Sequence, residues 1–238
     1  MYAGPTEVVV KIQAVRNPPS YHQPWQNLGH SSVNGSGVIV AGNRILTNAH
    51  VVAHSVFIHV QKAGKTEKYP AEVEFFGHAS DLALLKVDDP QFFSGIEALP
   101  FGDLPKVRDK VAVYGFPDGG DKLSITEGVV SRIEHITYAY SGAYLLACQM
   151  DASINSGNSG GPVVYENEIA GIAFQGMNFT YENIGYMIPA PTIKQFLRDA
   201  RDGAIAGVPD LALTMQKLES PYLRRYFRLQ PGEDGALV

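Results

Sequence analysis

One cysteine, Cys148, is all the sequence holds, so neither an intrachain disulfide nor a structural zinc site built on cysteines can form. Its neighbours Leu145, Leu146, Ala147 and Met150 are apolar, which predicts a buried, inert thiol. A single cysteine suits a reducing compartment and equally permits the periplasm. Long apolar runs are also missing. No stretch reaches the about 18 apolar residues that a membrane-crossing helix needs. Met1 to Glu7 lacks the basic-then-apolar pattern of a leader. That leaves two readings: no leader ever existed, or the chain starts after one was removed. Charge of one sign is scarce too, because 19 Lys and Arg stand against 24 Asp and Glu, a net charge of −5. With no long single-sign run, neither nucleic acid nor an anionic membrane is expected as the main partner. Only Tyr222 to Arg228 is locally basic, at the spacing of a solvated helix face.

What remains is ordinary for a folded domain, with 45% hydrophobic and 18% charged residues in 238, enough chain for one large all-β unit or two modest domains. Short strand patterns dominate. Glu7 to Val15 alternates and is rich in Val and Ile, and residues 16–34 read as a long polar loop containing Trp25. Val38 to Val40 and Arg44 to Thr47 form a hairpin pattern across a two-residue turn at Gly42-Asn43. Further strands are predicted at 55–61, 68–76, 82–87, 110–115, 126–134 and 144–151, then at Val163–Tyr165, Ala170–Phe174 and Gly185–Pro189. Turn residues punctuate them at roughly 10-residue spacing, which argues for barrels or sandwiches and against βαβ units. The first helix pattern comes late. Ile193, Phe196, Leu197 and Ala200 make one apolar stripe within Thr192–Arg201, and Gly203 is a fitting stop. Residues 203–209 read as a linker. Residues 210–238 begin a strand (Asp210–Leu218) and a short helix (Pro221–Phe227). They are too few to bury a core of their own.

The stretch Asn155-Ser156-Gly157-Asn158-Ser159-Gly160-Gly161-Pro162 sets a serine among turn-forming residues. Such a run holds a hydroxyl at the crown of a turn and aims successive N–H groups into one spot, as an acyl-transfer nucleophile requires. An ordinary glycine-rich loop has the same composition, so the rest of the chain decides. Ser159 needs a base and a group to orient that base. Of the histidines, His22 and His30 lie in the polar loop, His59 within a strand and His135 after a strand end. His50 follows the strand Ile45–Thr47, at the mouth of a cleft. His50 and His54 are four apart, but Val51 stands where a metalloprotease helix has glutamate, and no metal is expected. Asp81 begins the apolar strand Leu82–Val87 and fits the orienting carboxylate. Asp103, Asp118, Asp121 and Asp151 are alternatives with ordinary turn or capping roles.

The order His, Asp, Ser on an all-β chain is the chymotrypsin order. The blocks Thr47–Val52, Asp81–Val87 and Asn155–Pro162 closely resemble the three signature blocks of the HtrA/Deg family of ATP-independent serine proteases. Gly128–Ser131 and Asn183–Pro189 resemble its later barrel strands. The Trp25 loop, Gly119 to Asp121 and Phe174-Gln175 look closest to the plant-type Deg subgroup and its bacterial relatives. The likeness covers residues 6–202, and residues 210–238 resemble the start of a PDZ domain, cut short.

The resemblance implies a chymotrypsin-like double β-barrel with a C-terminal helix over residues 1–202. It assigns His50 as base, Asp81 as orienter and Ser159 as nucleophile, with the oxyanion hole at Gly157, Asn158 and Ser159. Ser153 stands where trypsin has an acidic residue, and Ile154, Ile172, Ala173 and Phe174 supply apolar walls. The expected substrates are unfolded polypeptides cut after small or medium aliphatic residues, in the service of protein quality control, with no cofactor. A homo-oligomer, a trimer, is expected through Tyr2, Tyr21 and Trp25. Two departures stand out. Residues 135–146 carry Tyr138, Tyr140 and Tyr144 and no Arg or Lys, where the family often has a signalling arginine. Gln175–Asn183 is long and polar, and a loop of that kind can cover the pocket in a resting state. A polypeptide-holding chaperone or adaptor with a poorly formed site, and an esterase using the same triad, are the alternatives. The compartment stays open: periplasm or another extracytoplasmic space, secreted, cytosolic or organellar.

Overall fold

The computed structural model describes residues 4–117, 120–174, 184–204 and 213–238. The chain divides into two compact units, Met1–Ile205 and Ala206–Val238.

The first unit holds two closed six-stranded barrels. Barrel one is built from β1 (Val9–Arg16), β2 (Ser31–Val40), β3 (Arg44–Thr47), β4 (Ser55–Lys62), β5 (Lys68–Gly77) and β6 (Leu82–Lys86), closed in the order β1-β2-β3-β6-β5-β4. One short helix, α1 (Ala49–Val52), interrupts it after β3. From Val10 on β1 alternates: Val10, Ile12 and Ala14 are buried, and Lys11 and Gln13 lie between them half-buried. The β2–β3 hairpin pairs Val40 with Arg44, so its loop has three residues, Ala41 to Asn43, one more than the sequence suggests. Gly42 (φ 85°) and Asn43 (φ 56°) both take left-handed conformations, and Asn tolerates this better than most side chains. Strand β2 also begins earlier than the Pro- and Ser-rich composition implies, because backbone pairing with β1 reaches Arg16↔Ser31.

Barrel two follows with β7 (Lys110–Gly115), β8 (Ser124–Thr137), β9 (Tyr144–Met150), β10 (Pro162–Tyr165), β11 (Glu168–Phe174) and β12 (Gly185–Pro189), closed as β10-β11-β12-β9-β8-β7. Its interior gathers Val111, Val113, Val130, Cys148, Met150, Val163, Ala173 and Met187. The alternate residues Ala147, Val164, Ile172, Phe174, Tyr186 and Ile188 join the core of barrel one. Strands buried on both faces read as continuous apolar runs, which is why Gly171–Phe174 and Tyr186–Ile188 lack alternation. Helix α2 (Ala190–Asp202) completes the unit and ends at Gly203 in the left-handed region. Its Phe196 packs on Phe75 of β5, rings 5.6 Å apart. Burying Ile193 and Phe196 there stabilises the contact by about 1.5–3 kcal/mol each.

Cys148 is fully buried, and that burial pushes its thiol from an ordinary 9.0 up to about 12. The unfolded chain therefore releases a proton that the folded chain keeps. This group's contribution to stability falls as pH rises between those two values. A maleimide probe at pH 8 should leave Cys148 unmodified in the native state and label it once denaturant opens barrel two. Labelling at equal rates in both conditions would contradict a sealed thiol.

In the second unit β13 (Gln216–Lys217) pairs antiparallel with β14 (Ala236–Leu237). Helix α3 (Pro221–Tyr226) lies between them in sequence. Arg224 donates to the carbonyls of Leu218, Gln230 and Glu233, and α3 buries no residue. The strand expected over 210–218 is confined to 216–217 among the described residues.

Candidate active site

Asp81 sits in a turn whose N–H donates to the His78 carbonyl at 3.2 Å, and its φ is 53°. That left-handed conformation is tolerable for aspartate, and it reverses the chain just before β6. Both ends of Asp81 then serve α1. Its carbonyl accepts from Ala49 N–H at 3.0 Å and from Asn48 Nδ2 at 3.0 Å. Its carboxylate accepts from His50 N–H at 2.8 Å through Oδ1. The first N–H groups of a helix lack intrahelical acceptors, and Asn48 makes no side-chain cap, so Asp81 caps α1 from the start of β6, the strand paired with β3. The other oxygen, Oδ2, lies 2.7 Å from His50 Nδ1. An ionised carboxylate only accepts, so Nδ1 carries a hydrogen, which in the neutral ring leaves the lone pair on Nε2. Asp81 is 2% exposed, whereas the His50 side chain is 24% exposed: the acid is sealed in and the ring reaches solvent. His50 itself lies on α1 rather than at a bare strand end.

The neighbours of His50 come from distant segments. The Arg16 guanidinium, pulled below its ordinary value by burial, donates to the His50 carbonyl. The Tyr140 ring centroid is 6.1 Å from that of His50 and 4.9 Å from that of His78. Ser141 Oγ donates to the Ala79 carbonyl at 2.9 Å, fastening the 138–143 loop to the turn that carries Asp81. Burial first, then Asp81, raises the Tyr140 hydroxyl above its ordinary value. Tyr138 is fully buried and donates to the Leu146 carbonyl at 2.6 Å. This aromatic loop thus meets the site by packing, with no cation of its own.

The serine turn is equally determined. Asn158 N–H donates to the Asn155 carbonyl at 3.0 Å, closing a four-residue turn. Gly157, at its third position, has φ 95°, a value that the type II turn assigns to glycine. Among the described residues no protein acceptor takes the N–H of Gly157 or of Ser159. Ser159 is 7% exposed. Gly160 has φ 87°, and a Cβ there would fall 2.1 Å from the Ser36 carbonyl oxygen and 2.3 Å from Thr47 Oγ1. The bare glycine is what lets the turn lie against the end of β3, three residues before His50.

Ser153 and Ile154 are half-buried, and the Ser153 carbonyl accepts from Thr126 Oγ1 at 3.2 Å. Ile154 shares the interior cluster of barrel two with Ala173, while Ile172 and Phe174 face the other cluster, as strand alternation requires. Gly185 belongs beside them, because a Cβ on it would stand 2.7 Å from Ile154 Cδ1. The sequence signal for Gly185 was only a glycine opening an apolar strand. Ser36, which reads as turn punctuation in Gly35-Ser36-Gly37, and Arg16 also reach these segments, the first donating to the Gly157 carbonyl and the second to the His50 carbonyl. The remaining sequence candidates lie elsewhere. Asp103 meets Lys194 and Asp121 meets Lys11. Asp151 accepts from Val129 N–H at 2.6 Å. His135 lies within β8, its ring 5.7 Å from that of Tyr144, and His59 packs on Phe57. Asp118, Gly119 and the loop 175–183 lie outside the described residues. Among the described residues no group of three or more His, Cys, Asp or Glu is arranged to hold a metal ion. No helix among them is long and apolar enough to cross a membrane.

Residues 35–172 match the family model described as Trypsin-like peptidase domain. The chain is 45% identical over 231 residues to Protease Do-like 4, mitochondrial, of Arabidopsis thaliana, covering 97% of this chain and 44% of that protein. It is 44% identical over 231 residues to Putative protease Do-like 3, mitochondrial, of the same organism, covering 97% of this chain and 41% of that one. It therefore spans less than half the length of these relatives. In fold it superposes on the active form of the Rv3671c protease from M. tuberculosis with a TM-score of 0.68 at 23% identity, over 86% of this chain and 84% of that one. The two barrels and the matched segment define a trypsin-like peptidase domain. Within that class, the chain belongs to the Do-like, HtrA/Deg family of serine proteases.

Proposed function

We propose that this chain hydrolyses peptide bonds through an acyl-enzyme on Ser159. The observation that carries the reading is the two-point grip of Asp81 on His50, Oδ1 to the backbone N–H and Oδ2 to Nδ1. It fixes the ring and its tautomer together. In this reading Ser159 Oγ attacks the scissile carbonyl carbon as His50 Nε2 takes its proton. The N–H groups of Gly157 and Ser159 receive the oxyanion, with Asn158 shaping the turn between them. Collapse breaks the C–N bond, and the leaving amine takes the proton from His50. Water, deprotonated by His50, then attacks the acyl carbon, the bond to Ser159 Oγ breaks, and His50 returns the proton to that oxygen.

Unfolded polypeptides are the proposed substrates, cut after small or medium aliphatic residues. The support is the uncharged Ser153 at the pocket base, with Ile154 and Ala173 beside it. Mass-spectrometric mapping of casein fragments should give Val, Ala, Leu and Ile as the dominant residues before the cut. A dominant Lys or Arg preference would rule out the uncharged base. Residues 210–238 are proposed as the beginning of a PDZ domain. A homo-oligomer, most simply a trimer, is proposed through the loop carrying Tyr21 and Trp25, which are 82% and 79% exposed. Tyr2 lies outside the described residues. Light scattering should give a multiple of the 25.8 kDa chain mass. A single-chain mass at micromolar concentration would remove the oligomer.

A further inference from the structure

Ser36 is a fully buried polar residue of β2, and every polar group it has is engaged. Its hydroxyl donates to the Gly157 carbonyl at 2.7 Å and accepts from Phe116 N–H at 2.9 Å. Its own N–H donates to the Ser159 carbonyl at 2.8 Å, and its carbonyl accepts from Thr47 Oγ1 at 2.7 Å. A hydroxyl has one hydrogen, and Phe116 N–H can only donate. The hydrogen of Ser36 must therefore point at Gly157, and its direction is fixed.

These bonds join three segments around the serine turn. Phe116 follows β7 of barrel two, Ser36 and Thr47 belong to barrel one, and Gly157 and Ser159 lie on the turn itself. Ser36 grips the carbonyls of the two residues whose N–H groups receive the oxyanion in the proposed reaction. A glycine at φ 95° has wide backbone freedom, and holding its carbonyl removes the rotation that would swing the turn. The site is also closely packed, since a Cβ on Gly115 would lie 3.1 Å from Ser36 Oγ and 2.7 Å from Asn158 Oδ1. Through Thr47, three residues before His50, the same serine ties the turn to the segment that carries the base.

We infer that Ser36 is a positioning residue, whose hydroxyl holds the Gly157 side of the oxyanion turn against barrel one while its backbone N–H holds the Ser159 side. This inference rests on the acyl-transfer reading above. A space-filling role would be met by alanine; a positioning role would not. Loss of one oxyanion donor costs about 10²–10³ in kcat, and a donor that is displaced rather than removed costs less. Ser36→Ala is expected to lower kcat about 10–100-fold on a small peptide substrate, with KM within about twofold of the parent, because the lost interaction acts in the transition state.

The experiment compares the parent and Ser36→Ala chains, with active sites counted by fluorophosphonate titration so that kcat refers to reactive protein alone. Affinity for an aliphatic peptide boronate, whose tetrahedral adduct puts an oxygen in the oxyanion position, is measured alongside. The expected result is a parallel fall in kcat per active site and boronate affinity in a chain that melts cooperatively. A Ser36→Ala chain with parental kcat per active site overturns the inference, even if its melting temperature drops, since that is what a structural residue gives. Should alanine prevent folding, Ser36→Cys keeps a weak donor and acceptor at the same atom; it should show the same pattern at smaller amplitude, and parental kcat overturns the inference equally. A parent chain that does not react with fluorophosphonate counts against the acyl-transfer reading itself, which separates the two failures.

Discussion

Replacing Ser159 with alanine is expected to reduce casein hydrolysis by about 10⁶-fold in kcat, the size of loss that follows removal of a triad nucleophile. The change deletes a hydroxyl from a residue 7% exposed, in a turn held by backbone hydrogen bonds. The Asn155–Asn158 closure, the Ser36 N–H to Ser159 carbonyl bond and the Gly160 N–H to Ala173 carbonyl bond at 2.9 Å all survive. The fold should therefore persist, with a melting temperature close to the parent's. Digestion would be followed by gel and by release of soluble peptides. More than about 1% residual activity would be far above what a missing nucleophile permits, and would place the chemistry on another residue.

Asp81→Asn carries the second large effect, about 10⁴-fold in kcat, through the tautomer of His50. The carboxylate now accepts at both oxygens, from His50 N–H and from Nδ1. An asparagine has one oxygen and one NH₂ group. If the oxygen keeps the backbone N–H, the NH₂ faces Nδ1 and donates to it, which moves the ring hydrogen to Nε2. The nitrogen that must accept from Ser159 is then blocked. If the amide turns over, the NH₂ faces the His50 N–H, donor against donor in a site where residue 81 is 2% exposed, and that N–H of α1 loses its acceptor. This second orientation keeps the ring hydrogen on Nδ1 and costs stability instead, so the first, which costs activity, is the one expected. Lost activity should be measured together with the thermal midpoint. An Asp81→Asn chain within tenfold of parental kcat would mean that Asp81 caps α1 without orienting the base.

How much of this was legible in the sequence differs by residue. The all-β class and the C-terminal helix were readable because β-strands and α2 carry their apolar periods locally. The blocks around His50, Asp81 and Ser159 were readable as family signatures, and the structure brings His50 and Asp81 within hydrogen-bond reach. The helical setting of His50 was not, because four residues of helix capped by a distant aspartate leave no local pattern. Ser36 looked like turn punctuation, since its hydrogen bonds go to Phe116, 80 residues away, and Gly157, 121 away. Arg16 and Tyr140 meet at His50 only after the barrels close. In the pocket, the sequence grouped Ile172, Ala173 and Phe174 as one wall. Strand alternation divides them, leaving Ala173 in the cluster of Ile154 and turning the other two toward barrel one.

The most direct test of a serine nucleophile poised by His50 and Asp81 is covalent labelling. The folded chain is incubated with a fluorophosphonate at neutral pH, digested, and the adduct located by mass spectrometry. The expected result is one adduct, on Ser159, lost in Ser159→Ala and slowed at least 10³-fold in His50→Ala, where no base takes the proton. No adduct on the folded chain, or an adduct on a different hydroxyl, would contradict the assignment.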